Sequence, residues 1–332
     1  MQKNKIEVVK NSENIKIDSD IAISVKGFSK KYSRNKHYSV KDLNFIVSKG
    51  EFHGFVGANG AGKTTVIKSI IGAYARFEGN ISIFNHKNTK ISAKKLIGYI
   101  PEAAQFPDSF TTRSYLKAMS MLAGVSAKDS VNFANAKLKQ LGLLEIANRN
   151  PNKLSSGQKK KVLLAQALIN NPEVIIMDEP AANLDPKART EFFETLVKLK
   201  EEQKVTIFIS SHILDELEKY IDSVTIIDGG KMVFSGNIQD AYQTNGNDIS
   251  WEIKFEDDEA ATLELKKLKL KFKNSINSKI IKLTKPELIK LMQTLFAKNI
   301  EITFIRKEGN DLTSIYNRFV KEGSLDIGGK NV

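Results

Sequence analysis

Gly57-Ala58-Asn59-Gly60-Ala61-Gly62-Lys63-Thr64-Thr65 spells G-x-x-x-x-G-K-[ST], the pattern of a phosphate-binding loop between a strand and a helix. Such a loop turns successive backbone N–H groups toward α- and β-phosphates, with Lys63 in reach of the β- and γ-phosphates. The Thr64 hydroxyl is placed to hold Mg²⁺. The apolar run Glu51-Phe52-His53-Gly54-Phe55-Val56 predicts a buried strand entering the loop. Thr65-Val66-Ile67-Lys68-Ser69-Ile70-Ile71 predicts a helix whose N-terminus faces the phosphates. A glycine-rich turn with an idle lysine would not need those flanks. A nucleoside triphosphate is the expected ligand.

Composition narrows the class. A chain of 332 residues has room for two domains and a sizeable core. No apolar stretch approaches the ~18 residues needed to span a bilayer. Residues 1–20 are polar and lack the apolar segment of a secretory signal, so a cytoplasmic protein is expected. Zero cysteines exclude disulfides, thiolate zinc sites and iron–sulfur clusters. The net charge of +13 invites a nucleic-acid reading. Its source, however, is scattered lysine, without the clustered arginine and stacking aromatics that base recognition favours. No specific nucleic-acid partner is expected. A solvated lysine surface, attracted to an anionic membrane leaflet, is the plainer reading.

Hydropathy patterns divide the chain into a flexible lead-in (1–20), an α/β nucleotide-binding domain (21–242) and a small C-terminal α+β unit (243–332). Ile21–Val25 and Leu43–Val47 alternate like strands, as does Gly79–Phe84. Val174–Met177 and Val205–Ile209 are near-continuous apolar runs, expected for strands buried on both faces of a sheet. Helical periodicity covers 110–150 and 186–202, and Val224–Phe234 reads as a hairpin around Asp228-Gly229-Gly230. Gln243–Asp248 is the candidate linker. Beyond it, strand patterns at Ile249–Phe255, Lys279–Leu283 and Ile300–Ile305 alternate with lysine-rich helices. The core expected there is Trp251, Ile253, Phe255, Leu263, Leu265, Leu268, Phe272, Ile281, Leu283, Leu291, Leu295, Phe304 and Ile315.

The second half of the site is Val174-Ile175-Ile176-Met177-Asp178-Glu179-Pro180. Four apolar residues deliver two adjacent carboxylates to the end of a buried strand. Asp178 is placed to hold Mg²⁺, directly or through water, and Glu179 to orient and deprotonate the attacking water. Between the two halves lies Leu154-Ser155-Ser156-Gly157-Gln158-Lys159-Lys160-Lys161-Val162, which on physical grounds is a capped helix N-terminus.

With its flanking motifs, that stretch resembles the signature of ATP-binding-cassette ATPases, and the resemblance covers residues 21–241. It implies a P-loop cassette with a mixed sheet and a helical subdomain, acting as an ATPase on ATP with Mg²⁺. Gly57 to Thr65 would cradle the phosphates, Asp178 support Mg²⁺ and Glu179 act as base. His212 in Ser210-Ser211-His212 matches the switch histidine that contacts the γ-phosphate. Tyr32 matches the aromatic that stacks on adenine, and Asp185 lies in the loop after the catalytic Glu. Ser155, Gly157 and Gln158 would serve the nucleotide of a second cassette, making ATP the glue of a head-to-tail homo- or heterodimer. The chain departs from the family at Glu102, where Gln is frequent and metal-water contact is expected to survive, and at Ser156, which replaces a glycine.

The leading functional reading is the ATPase subunit of a membrane transporter, peripheral on the cytoplasmic face through a polytopic permease. Phe106, Phe110 and Thr111–Leu116 are either ordinary core or the seat of a permease helix. A soluble cassette acting on nucleic acid or the ribosome is the competing class. Lys63 and Asp178 are only about 115 residues apart, too close for long coiled-coil arms, and one phosphate loop excludes a twin cassette. Pro101-Glu102 and the C-terminal extension resemble the export-type, drug- and polysaccharide-like subgroup. Asp311–Val320 resembles the final helix of its accessory domain, with a role in dimer support or regulation.

Overall fold

Val174-Ile175-Ile176-Met177 forms a strand with no polar side, and in the computed structural model it is buried on both faces. Val174 and Ile176 point into one core, Ile175 and Met177 into another. The structure describes residues 20–32, 37–243, 250–275, 278–307, 312–313 and 315–317. Residues 1–19 of the lead-in and 244–248 of the candidate linker therefore lie outside the described residues, while Gln243, expected to open the linker, instead ends a helix.

The chain begins with β1 (Ile21–Lys31), β2 (Tyr38–Ser48) and β3 (Phe52–Val56), then α1 (Lys63–Ile70), β4 (Glu78–Ile83), β5 (His86–Lys87), α2 (Ile91–Lys95) and β6 (Ile97–Ile100). Three helices follow: α3 (Thr112–Leu122), α4 (Ser130–Gln140) and α5 (Ser156–Ala167). Next come β7 (Val174–Met177), α6 (Pro186–Gln203), β8 (Thr206–Ser211), α7 (Leu214–Leu217), β9 (Ser223–Asp228), β10 (Lys231–Asn237) and α8 (Ile238–Gln243). The C-terminal unit holds β11 (Ser250–Phe255), α9 (Asp258–Lys267), β12 (Phe272–Ser275), β13 (Ser278–Lys282), α10 (Lys285–Phe296) and β14 (Ile302–Lys307).

The central sheet runs β10-β9-β3-β8-β7-β6, with β9 through β6 parallel and β10 antiparallel at the edge. It is a mixed sheet, as expected. One face packs with α1 and the antiparallel sheet β2-β1-β4-β5. The other carries the helical region, where Leu116, Leu138, Leu164 and Phe192 meet Ile175 and Ile207 in one core. A buried imidazole, His53, stacks on Phe208 at 5.6 Å in the first core. Ser223 and Thr225 hold its two nitrogens at 2.7 and 2.9 Å.

The C-terminal unit is a four-stranded sheet, β12-β13-β11-β14, antiparallel throughout, against α9 and α10. Its core contains Ile253, Phe255, Leu265, Ile281, Leu283, Leu291 and Leu295, with Trp251 and Phe272 packed at its margin. Four expected members are placed differently. Leu263, Leu268 and Phe304 are exposed, because each lies off the single buried stripe or face that a two-layer unit can cover. Ile315 is buried, but with Leu312 in the cassette's core, since the chain returns to the first domain after β14.

Candidate active site

The loop Gly57–Gly62 leaves β3 and winds into α1, whose N-cap, Gly62, has φ +104°. A side chain there is excluded twice over, by the left-handed backbone and by Val40, whose Cγ2 would lie 2.5 Å from an added Cβ. In the sheet, β3 neighbours β8 and β8 neighbours β7. The carboxyl ends of these three parallel strands thus bring Lys63, Asp178–Glu179 and His212 to one edge, where open α/β sheets bind ligands. A hollow of about 550 Å³ lies there, lined by Asn59, Gly60, Lys63 and Thr64 from the loop and by Glu102, Glu179 and His212.

Lys63 is nearly buried, and its ammonium donates to the carbonyl oxygens of Gly57 at 2.7 Å and Ala58 at 3.2 Å. It also lies 3.0 Å from Glu179 Oε1, while Glu179 Oε2 is in close contact with His212 Nδ1. Glu179 itself has φ +44°, an uncommon conformation for a residue with a side chain. Its N–H donates to Ser210 Oγ at 2.9 Å, and that hydroxyl donates to Asp178 Oδ1 at 2.9 Å. Ser210 therefore locks the two carboxylate residues together, a role the sequence did not signal beyond its place before His212. Thr64 Oγ1 donates to Asp178 Oδ1 at 3.3 Å. That pair of hard oxygen donors suits Mg²⁺, which takes few protein ligands and completes its shell with phosphate and water.

Lys160 was not anticipated as a site residue. It is buried, and its ammonium donates to the carbonyls of Pro101 at 3.0 Å and Glu102 at 2.5 Å. Burial lowers its pKa to about 8, opposed by Glu102 and Asp178. Burial, with help from Asp178 and Glu102, raises the nearby Tyr99 phenol to about 12. The signal for Lys160 was helical phase, since Gly157, Lys160, Leu164 and Ala167 share one buried stripe of α5.

Tyr32 stands beside the hollow, its hydroxyl 3.0 Å from Thr65 Oγ1 and its ring edge-on to Tyr74. Phe106 is buried in the core and Phe110 packs half-buried at its margin, both rings edge-on to Tyr115.

The sequence matches the family model described as ABC transporter over residues 40–182. A provisionally assigned ABC transporter ATP-binding protein of Mycoplasma pneumoniae is 37% identical over 92% of this chain and 94% of its own length. The chain belongs to the ABC transporter ATP-binding proteins. Bacitracin transport ATP-binding protein BcrA of Bacillus licheniformis is 36% identical, over 64% of this chain and 68% of BcrA. Among solved structures, cbiO1 of Clostridium perfringens, part of the ABC transporter complex cbiONQ, superposes with a TM-score of 0.61 at 25% identity. That match covers 68% of this chain and 91% of cbiO1.

As an ABC ATPase subunit, the chain binds and hydrolyses ATP, and its signature residues can now be located. Ser155 caps α5 in a reciprocal box with Gln158, and Asp185 caps α6 by accepting the Ala188 N–H at 2.9 Å. Gly157 leaves room for Ala188, whose Cβ would lie 3.0 Å from an added Cβ. Ser155, Gly157 and Gln158 line a second hollow of about 290 Å³ with Glu145 and Glu191, separate from the one at the phosphate loop. No helix among the described residues is long and apolar enough to cross a membrane.

Proposed function

We propose that this subunit drives an exporter from the cytoplasmic face of a membrane, through a polytopic permease and ATP-dependent pairing with a second cassette. The observation that carries the reading is the convergence of Lys63, Asp178, Glu179 and His212 on one sheet edge while the signature turn lies in a different hollow. A cassette so built needs a second one to complete its nucleotide site. In this scheme the backbone from Gly57 to Thr65 cradles the phosphates and Lys63 turns from Gly57 and Glu179 to the β- and γ-phosphates. Glu179 takes the proton of the attacking water and His212 fixes the γ-phosphate. Thr64 and Asp178 would hold Mg²⁺, with Glu102 reaching it through water. When bound, the ion would neutralise charge on the β- and γ-phosphate oxygens. Ser155, Gly157 and Gln158 of the second cassette would close over the nucleotide, with Asp185 at the seam. Tyr32 would stack on the base.

Transport is supported by the bacitracin transport protein above, and export by the Nod factor export ATP-binding protein I of Rhizobium etli, which is 34% identical over 60% of this chain. Both are transporter subunits, which favours transport over a nucleic-acid or ribosome-acting role. Pairing is supported by the cassette MJ0796, solved as a dimer in a post-hydrolysis state with ADP and Pi, at TM-score 0.58 and 26% identity. The test is affinity capture of the Glu179→Gln chain from solubilised membranes with ATP present. Recovery of a protein with several apolar helices supports the reading. Recovery of ribosomes or nucleic acid in its place overturns it.

A further inference from the structure

The phosphate loop is gripped from outside the hollow by the far end of the chain. The Gly57–Ala58 peptide has its carbonyl turned to the Lys63 ammonium at 2.7 Å. Its N–H, the Ala58 amide at the opposite edge of the same plane, donates to the Tyr316 hydroxyl at 3.2 Å. The two residues are 258 positions apart. A peptide group is planar with its C=O and N–H pointing in opposite directions, so fixing one fixes the other.

Tyr316 is itself held. Leu312 and Ile315 are 0% and 1% exposed in the cassette core, and the Tyr316 ring packs at that core's edge. The Leu312 N–H donates to Glu218 Oε2 at 3.0 Å, just past α7, the helix that follows His212. Partial burial, together with the carboxylate of Asp228, raises the Tyr316 pKa, so the phenol keeps its proton. Leu312, Ile315 and Tyr316 thereby join the phosphate loop to the segment behind the switch histidine.

We infer that Tyr316 is a positioning residue of the nucleotide site, which orients the Gly57–Ala58 peptide and, through its carbonyl, the approach of Lys63 to the phosphates. The C-terminal unit is then a structural input to ATP affinity. The inference rests on the phosphate loop being the nucleotide site.

The test is Tyr316→Phe in the full chain, which keeps the ring and removes only the hydroxyl. Loss of one neutral hydrogen bond is expected to raise KM for ATP about three- to tenfold with kcat within twofold. Amide exchange in the peptide spanning residues 57–60, measured without nucleotide, should quicken several-fold while Tm stays within about 2 °C. Exchange and KM both unchanged overturn the inference. A lower Tm with KM unchanged also overturns it, by leaving Tyr316 a packing residue. Because the exchange measurement uses no nucleotide, it tests the peptide's orientation even if the loop's role in ATP binding were wrong. A wild-type chain that failed to bind ATP would overturn that separate reading.

Discussion

Lys63 and Glu179, which the proposed mechanism makes the phosphate-binding lysine and the base, form an ion pair with Nζ 3.0 Å from Oε1, and both side chains are nearly buried. Each charge is thereby compensated inside the site, and each group must leave the other before it can work. Glu179→Gln removes the base and loosens the lysine together. Hydrolysis is expected to fall about 10²- to 10⁴-fold, the range for losing a general base, with ATP binding equal or tighter. A single-turnover assay beside equilibrium nucleotide binding checks both halves. Wild-type turnover in this variant would refute the assignment.

Ser210 is the shared partner of Asp178 and of the Glu179 backbone. Ser210→Ala frees the Asp178 carboxylate to rotate and leaves the left-handed Glu179 without its anchor. If Asp178 holds Mg²⁺ as proposed, loss of this supporting contact is expected to raise the Mg²⁺ concentration needed for half-maximal ATPase activity about 10- to 100-fold. Titration of turnover against Mg²⁺ at saturating ATP reads this directly. An unchanged half-saturation point would show Asp178 to be held adequately by Thr64 alone.

His53 sets a pH limit on the fold. Burial lowers its pKa from 6.5 to about 4, with Glu51 pulling weakly the other way. The folded state therefore prefers the neutral ring. Its contribution is complete above about pH 6.5 and is lost as pH falls toward and through about 4. The span corresponds to roughly 3 kcal/mol. Urea midpoints for the wild type should decline between pH 6.5 and 4.5, and those for His53→Leu should decline less over the same interval. Parallel curves would assign the acid sensitivity to other groups.

Ending the chain after Lys307 keeps the whole C-terminal sheet and removes Leu312 and Ile315 from the cassette core. Those two side chains contribute roughly 3–5 kcal/mol by burial. The cassette transition in calorimetry should fall by several degrees, while a second, weaker transition of the C-terminal unit stays in place. An unaltered cassette transition would show that the last segment adds little to the fold.

Much of the site was legible because its chemistry sits in contiguous motifs at strand ends. Gly57 to Thr65, Asp178-Glu179 and His212 each follow an apolar run that can only be a buried strand, so their meeting follows from parallel pairing. Ser210, Lys160 and Tyr316 were not legible in this way. Each acts on a motif far from it in sequence, through contacts that only the packed molecule defines. Lys160 sat inside a run of three lysines, where charge argued for solvent and only helical phase argued for burial. In the C-terminal unit, apolar Leu263, Leu268 and Phe304 counted as core on hydropathy, although a thin two-layer unit has too little interior for them. Ile315 was rightly expected to be buried, but which core receives it depends on a chain reversal that no local pattern encodes.

The pairing of β3 bears on when, during synthesis, the protein can exist. That strand, which launches the phosphate loop, has β8 and β9 as its neighbours in the sheet and nothing close to it in sequence. The Phe52 N–H waits for the Asp222 carboxylate, 170 residues later. A ribosome must therefore release well over half the chain before the loop emerging first has a sheet to join. Contacts of such long range close slowly. Val174–Met177 meets a partner, Ile97–Ile100, that is already made, whereas the apolar strand Phe52–Val56 stands unpaired until Thr206–Ser211 and Ser223–Asp228 follow.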